Sequence, residues 1–124
     1  MQDQQLTYTV SDGTVAGVVI LKLEGPLTLS NMFELQNDLR AMRPPCLIMD
    51  LSGTPYMDSA GLGVVVNYYV SAENKGHKLF LSGVNDRVFA LLEVTKVNTI
   101  LKTVSSVDEA QTQYQVSSGS SAGH

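Results

Sequence analysis

Val18-Val19-Ile20-Leu21 is apolar at consecutive positions, Cys46-Leu47-Ile48-Met49-Asp50-Leu51 is a short run between breakers apolar at all but Asp50, and Lys78-Leu79-Phe80-Leu81-Ser82 has an apolar centre. A strand with one wetted face alternates polar and apolar residues. Runs without that alternation instead imply strands covered on both sides, as the inner strands of a parallel sheet are. Parallel neighbours need a crossover of about a dozen residues or more. The gaps between these runs are long enough, and each carries apolar residues at helical spacing. That combination points to an α/β sheet with right-handed crossovers.

The remaining elements extend this frame. Leu6-Thr7-Tyr8-Thr9-Val10 alternates as a half-buried strand, Ser11-Asp12-Gly13-Thr14 has turn chemistry, and the run Val15 to Leu23 completes a hairpin that ends at Gly25-Pro26. Asn31 as cap with Glu34 three residues on predicts a first helix, with Met32, Leu35, Leu39 and Met42 on its inner stripe and Pro44-Pro45 as its stop. Leu62, Val65, Val66, Tyr69 and Ala72 predict a second helix ending before Gly76. Val64-Val65-Val66 also has strand propensity, but a stripe lasting three turns favours the helix. Asn85 caps a short third helix with Val88, Leu91 and Leu92 facing inward, Ile100 to Val104 reads as a last strand, and Ser106 to Glu109 is a capping box for a final helix near Ala110 to Tyr114. The order is ββαβαβαβα: one α/β domain over residues 1–116 with a four- to five-stranded mixed sheet, then a disordered tail over 117–124, where Ser, Gly and Ala offer nothing to bury.

Composition removes several functions. Eight Lys plus Arg against twelve Asp plus Glu give a net charge of -4, which repels a phosphate backbone and argues against nucleic acid as a partner. A lone Cys46 with His77 and His124 supports neither a disulfide framework nor a Cys/His metal site, and no cofactor motif is present. The most apolar stretch, Val15 to Leu21, falls far short of the roughly 20 residues a spanning helix needs, and no basic segment precedes it. A cytoplasmic protein without membrane insertion is expected.

Met57-Asp58-Ser59-Ala60-Gly61-Leu62-Gly63, at a strand exit and a helix entrance, is the most informative stretch. Asp58 or Ser59 acting as a cap, with Gly61 and Gly63 permitting close packing, would account for it structurally. Two glycines in a first turn are nonetheless unfavourable by about 1 kcal/mol each relative to alanine, which hints at a steric or functional reason. Enzymatic patterns fail here. A dinucleotide fingerprint beginning at Gly61 meets Val66 where glycine is needed, no G-x-x-x-x-G-K-[ST] occurs, and a nucleophile elbow at Ser59 meets Met57. His77 is expected at the opposite end of the sheet, so Ser59 has no base. What is left is a serine hydroxyl at the positive end of a helix, where an added phosphate would meet unpaired N–H groups.

Asp58-Ser59-Ala60-Gly61-Leu62-Gly63, preceded by Leu47 to Leu51 and Tyr56-Met57, resembles the signature of STAS domains of the anti-sigma factor antagonist type. The likeness runs from about Val15 to Ala110. It implies that Ser59 is phosphorylated by a partner that is both anti-sigma factor and serine kinase, that the unphosphorylated form binds this partner and frees a sigma factor, and that a phosphatase restores it. It implies a binding module, not an enzyme. Thr28, Tyr56, Met57, Asp58, Ser59, Gly61 and Leu62 form the expected partner-binding set, with Asp58 shaping the site and Gly61 and Gly63 allowing close approach. Tyr56 suits an interface anchor and packing on the second helix equally well, whereas Asp86, Arg87 and Lys96 read as a solvated face. One departure stands out. Members commonly read G-E-[LI]-D at the end of the second strand, whereas this chain has Gly25-Pro26-Leu27-Thr28, so the usual carboxylate near the serine is missing. Proline there also removes a backbone donor. STAS domains serve too as scaffold or accessory subunits of stress-signalling complexes and lipid or anion transporters, the alternative use that needs no phosphorylation.

Overall fold

The apolar runs become the middle of a five-stranded sheet. A computed structural model of the protein describes residues 5–122, with the elements β1 (Thr7–Asp12), β2 (Val18–Glu24), α1 (Phe33–Ala41), β3 (Cys46–Gly53), α2 (Ser59–Asn74), β4 (Lys78–Ser82), α3 (Asp86–Val94), a 3-10 turn (Val97–Thr99), β5 (Lys102–Val104) and α4 (Val107–Ala122). Sheet order follows chain order, β1 to β5. β1 runs antiparallel to β2, and every later pair is parallel. The hairpin and the crossovers thus lie where the sequence places them.

Strand register explains why the runs are apolar throughout. Leu21, Met49 and Leu81 are in line across β2, β3 and β4, and so, one residue earlier, are Ile20, Ile48 and Phe80. Successive side chains point to opposite faces. The first row joins Leu35, Leu39, Leu62, Val65, Val88 and Leu92 from α1, α2 and α3, whereas the second meets Ala110 and Tyr114 of α4. Three crossover helices therefore cover one face and α4 covers the other. Each fully buried leucine in this arrangement contributes about 1.5–3 kcal/mol of transfer free energy. On the α4 face the buried Gln111 accepts from the backbone N–H groups of Thr14 (2.8 Å) and Val15 (3.1 Å), which ties the loop after β1 to α4.

Helix ends follow the expected local chemistry at some positions and depart from it at others. Asn85 caps α3 by accepting from the Val88 N–H at 2.8 Å. Gly76, at φ +74°, closes α2, with its N–H donating to the Glu73 carbonyl and that of His77 to the Ala72 carbonyl. The expected Asn31 cap of α1 is corrected: Met32 occupies that position without a side-chain bond, and Asn31 is engaged elsewhere. The capping box of α4 is displaced. Ser106 Oγ accepts from the Glu109 N–H, but the Glu109 carboxylate reaches back to the N–H and hydroxyl of Ser105. β5 starts at Lys102 rather than Ile100, because the N–H groups of Ile100 and Leu101 both donate to the Val97 carbonyl and are lost to the ladder. The backbone of α4 stays helical to Ala122, beyond the end expected near Tyr114 and into the segment 117–124 expected as a tail; residues 123–124 lie outside the described residues. No proline in that segment interrupts the helix. No helix among the described residues is long and apolar enough to cross a membrane.

Candidate functional site

The site lies beyond the carboxyl ends of β2 and β3, where open α/β sheets generally bind. Two chain segments meet there. After β2, Leu27 pairs with Met57 in a single parallel bridge, the Leu27 N–H donating to the Tyr56 carbonyl (3.1 Å) and the Asp58 N–H to the Leu27 carbonyl (3.2 Å). Asn31 braces this segment from within: its Oδ1 accepts from the Thr28 N–H and its Nδ2 donates to the Pro26 carbonyl, each at 2.9 Å. Proline fits at position 26 because the segment uses that residue's carbonyl.

Asp58 joins the two segments to the helix. One carboxylate oxygen accepts from the Gly61 N–H (2.9 Å), capping α2, and the other accepts from the Leu29 N–H (3.1 Å). A side chain at Gly61 would run into the Leu27 carbonyl oxygen and approach Leu27 Cγ to 2.9 Å, so only glycine lets α2 begin this close to the β2 exit. Gly63 differs, since nothing lies within 4 Å of where its Cβ would be. The expected close approach therefore belongs to Gly61 alone.

Ser59 is the first residue of α2 and is exposed. Its hydroxyl makes no hydrogen bond among the described residues. First-turn N–H groups have no partner within a helix, and the Asp58 carboxylate takes only that of Gly61, leaving those of Ser59 and Ala60 for an incoming anion. Thr28 is half-buried with its hydroxyl 3.0 Å from that of Ser30, and no carboxylate stands at that position. His77 precedes β4 at its amino end, the opposite end of the sheet from Ser59.

The seven residues expected to bind a partner are brought to one place, but not all to the surface. Thr28, Tyr56, Asp58 and Ser59 are exposed or half-buried, whereas Met57, Gly61 and Leu62 are buried and set the backbone path beneath. Exposed apolar area comes from residues the sequence reading did not single out, Leu29 (57% exposed) and Phe33 (58%), on the turn before α1 and its first residue. Tyr56 lies under the Arg87 guanidinium, 4.7 Å from the ring centroid, so Arg87 belongs to the site's rim rather than to a purely solvated face. Asn85 joins the same rim by donating to the Pro55 carbonyl at 3.0 Å. Beneath, the Thr54 hydroxyl is buried without a hydrogen-bond partner among the described residues. No group of His, Cys, Asp and Glu side chains among them is arranged to hold a metal ion.

Similarity to known proteins agrees with this architecture. The STAS domain pattern matches residues 9–110. The anti-sigma F factor antagonist of Paenibacillus polymyxa is 31% identical over 104 residues, spanning 81% of this chain and 89% of the relative. An anti-sigma factor antagonist from Mycobacterium paratuberculosis superposes with a TM-score of 0.77 at 21% identity, over 88% of this chain and 93% of its own. The Bacillus cell fate determinant SpoIIAA in its phosphorylated form does so with a TM-score of 0.69 at 13% identity, over 87% and 99%. At those two identities the likeness carries the fold alone. With the domain pattern spanning most of the chain and a curated relative matched along nearly its whole length, the chain belongs to the STAS domain family.

Proposed function

We propose that this protein is an anti-sigma factor antagonist that binds an anti-sigma factor with serine kinase activity, thereby freeing a sigma factor, and that phosphorylation of Ser59 switches it off until a phosphatase removes the phosphate. The observation that carries the reading is the position of Ser59: an exposed hydroxyl at the amino end of α2, with free N–H groups beside it and a rigidly braced backbone around it. The curated relative's name, anti-sigma F factor antagonist, supports the antagonist role. The chain acts by binding rather than catalysis, with the described histidine, His77, at the opposite end of the sheet from Ser59, and it works in the cytoplasm with its partners.

The partner-facing surface consists of Thr28, Leu29, Phe33, Tyr56, Asp58 and Ser59, a mixed apolar and polar rim over buried Met57, Gly61 and Leu62. Phosphate on Ser59 gains about 0.3–1 kcal/mol from the helix end. Desolvating a dianion against Leu29 and Phe33 in an interface costs several kcal/mol, so the modified form lets go. Thr28 in place of a carboxylate weakens phosphotransfer more than it weakens binding. Calorimetric titration of the cognate anti-sigma factor tests the surface: Leu29→Ser and Tyr56→Ala each weaken binding by at least about tenfold, or about 1.4 kcal/mol. Unchanged affinity for both variants would move the interface elsewhere.

A further inference from the structure

A groove of about 410 Å³ runs between α1 and α2, on the same sheet face but away from the Ser59 surface. Its floor is apolar, built from buried Leu39, Val64 and Tyr68. Its rim carries Arg40, Arg43 and Lys75, three of the chain's eight Lys and Arg residues, and no Asp or Glu lines it. Among the described residues none of the three has a carboxylate within ion-pair distance; the ion pair present there is Lys22–Glu24. On a chain of net charge -4, three unneutralised cations converging on one groove require an explanation.

Helix dipoles supply part of one. Arg40 is in the last turn of α1 and Lys75 follows α2, where cations are favoured. Arg43, next after the residue that caps α1, stands at the same helix end, so the dipoles favour a cation at each position but do not account for all three lining one groove. We infer that the α1–α2 groove is a binding site for a small organic anion with an apolar body, the body resting on Leu39, Val64 and Tyr68 and its carboxylate, phosphate or sulfonate held by Arg40, Arg43 and Lys75. The volume is within the range of about 300–1,000 Å³ typical of small-molecule sites. A walled groove of this kind favours a small ligand over a folded partner, whose interface is flatter and broader. Lys75 follows the sixteen residues of α2, so the anion-binding end is about 24 Å along the helix from Ser59. The charged end of the groove is thus well removed from Ser59.

The test is fluorescence titration of the full chain with 1-anilinonaphthalene-8-sulfonate, an aromatic body bearing one anionic group, with near-ultraviolet circular dichroism confirming that each variant is folded. One saturable site is expected, with amide shifts at Tyr68, Ser71 and Lys75 on binding. Arg40→Gln/Arg43→Gln/Lys75→Gln should weaken it by at least about tenfold, as should Ser71→Phe, which fills the groove and leaves the charges intact. Uncharged N-phenyl-1-naphthylamine should bind at least about tenfold more weakly than the sulfonate. Retained affinity in either variant, or equal binding of the uncharged dye, overturns the assignment. Displacement of the dye by hexaglutamate but not by decyl phosphate would overturn it too, by making the groove a docking site for an acidic peptide.

Discussion

Gly61 and Gly63 are two residues apart in the first turns of one helix, yet alanine should act on them with opposite sign. At Gly61 the new methyl meets the Leu27 carbonyl carbon and Cγ at 2.9 Å and the carbonyl oxygen closer still. That obstacle is backbone, so α2 or the β2 exit must move by an appreciable fraction of an ångström. Overpacking of this kind costs about 3 kcal/mol. The movement also lengthens the Asp58–Leu29 bond (3.1 Å) and the Asp58–Leu27 bond (3.2 Å), adding about 1 kcal/mol. Alanine's helix propensity returns about 1 kcal/mol, for a net loss of about 3 kcal/mol. Gly63 has only the propensity gain, because its Cβ position is open, so Gly63→Ala should stabilise by up to about 1 kcal/mol. Urea unfolding of the two variants, with unchanged m-values, reads both numbers. Equal shifts, or a Gly61→Ala variant as stable as the parent, would refute the argument that Gly61 is required for steric reasons.

Asn31→Asp separates a brace from a helix cap. An aspartate caps a helix as well as asparagine does, but it cannot donate to the Pro26 carbonyl, so the variant should lose about 1–3 kcal/mol in thermal unfolding, and a neutral result would restore the cap reading. Burial pushes the Cys46 thiol up to about 12, with Lys78 only partly opposing the shift. The folded state then favours the neutral thiol, and its contribution to stability, complete below the unfolded value of about 8.5, is lost as pH rises toward about 12. Urea midpoints should therefore fall more steeply from pH 8 to pH 10 for the parent than for Cys46→Ala; burial and then Cys46 also push the Tyr68 phenol up, so removing Cys46 relaxes that shift in the same direction, and identical slopes would contradict the reasoning.

Much of the fold is legible in the sequence because parallel strands buried on two faces leave an unmistakable trace. Val18 to Leu21 and Cys46 to Leu51 need no alternation when α1 to α3 cover one face and α4 the other. The cap at Asn85 is equally legible, since it bonds within three residues of itself, and for α2 the sequence narrows the cap to Asp58 or Ser59, of which Asp58 takes the role. Asn31 misled because the same side chain satisfies either a helix start or a local brace, and Pro26, five residues back, decided the outcome through its carbonyl. The late start of β5 depended on the turn Val97–Thr99 and a left-handed Lys96, which carries no glycine or asparagine signal. At the candidate site the chemistry-bearing residues were recognisable, but exposure was not. Burial of Met57 and Leu62 and exposure of Leu29 and Phe33 follow from how the β2 exit lies across α2, a tertiary fact that spacing along one element does not contain.

Ser59 is the proposed switch, and one titration tests it. The protein is incubated with its cognate kinase and ATP, the modified residue is located by mass spectrometry, and the purified phosphorylated and unmodified forms are titrated against the anti-sigma factor. Phosphate is expected on Ser59, with affinity lower by at least about tenfold (about 1.4 kcal/mol) in that form and a Ser59→Ala protein that binds like the unmodified one whether or not the kinase is active. Phosphate found elsewhere, none incorporated at all, or a Ser59-phosphorylated protein that binds as tightly as before would contradict it.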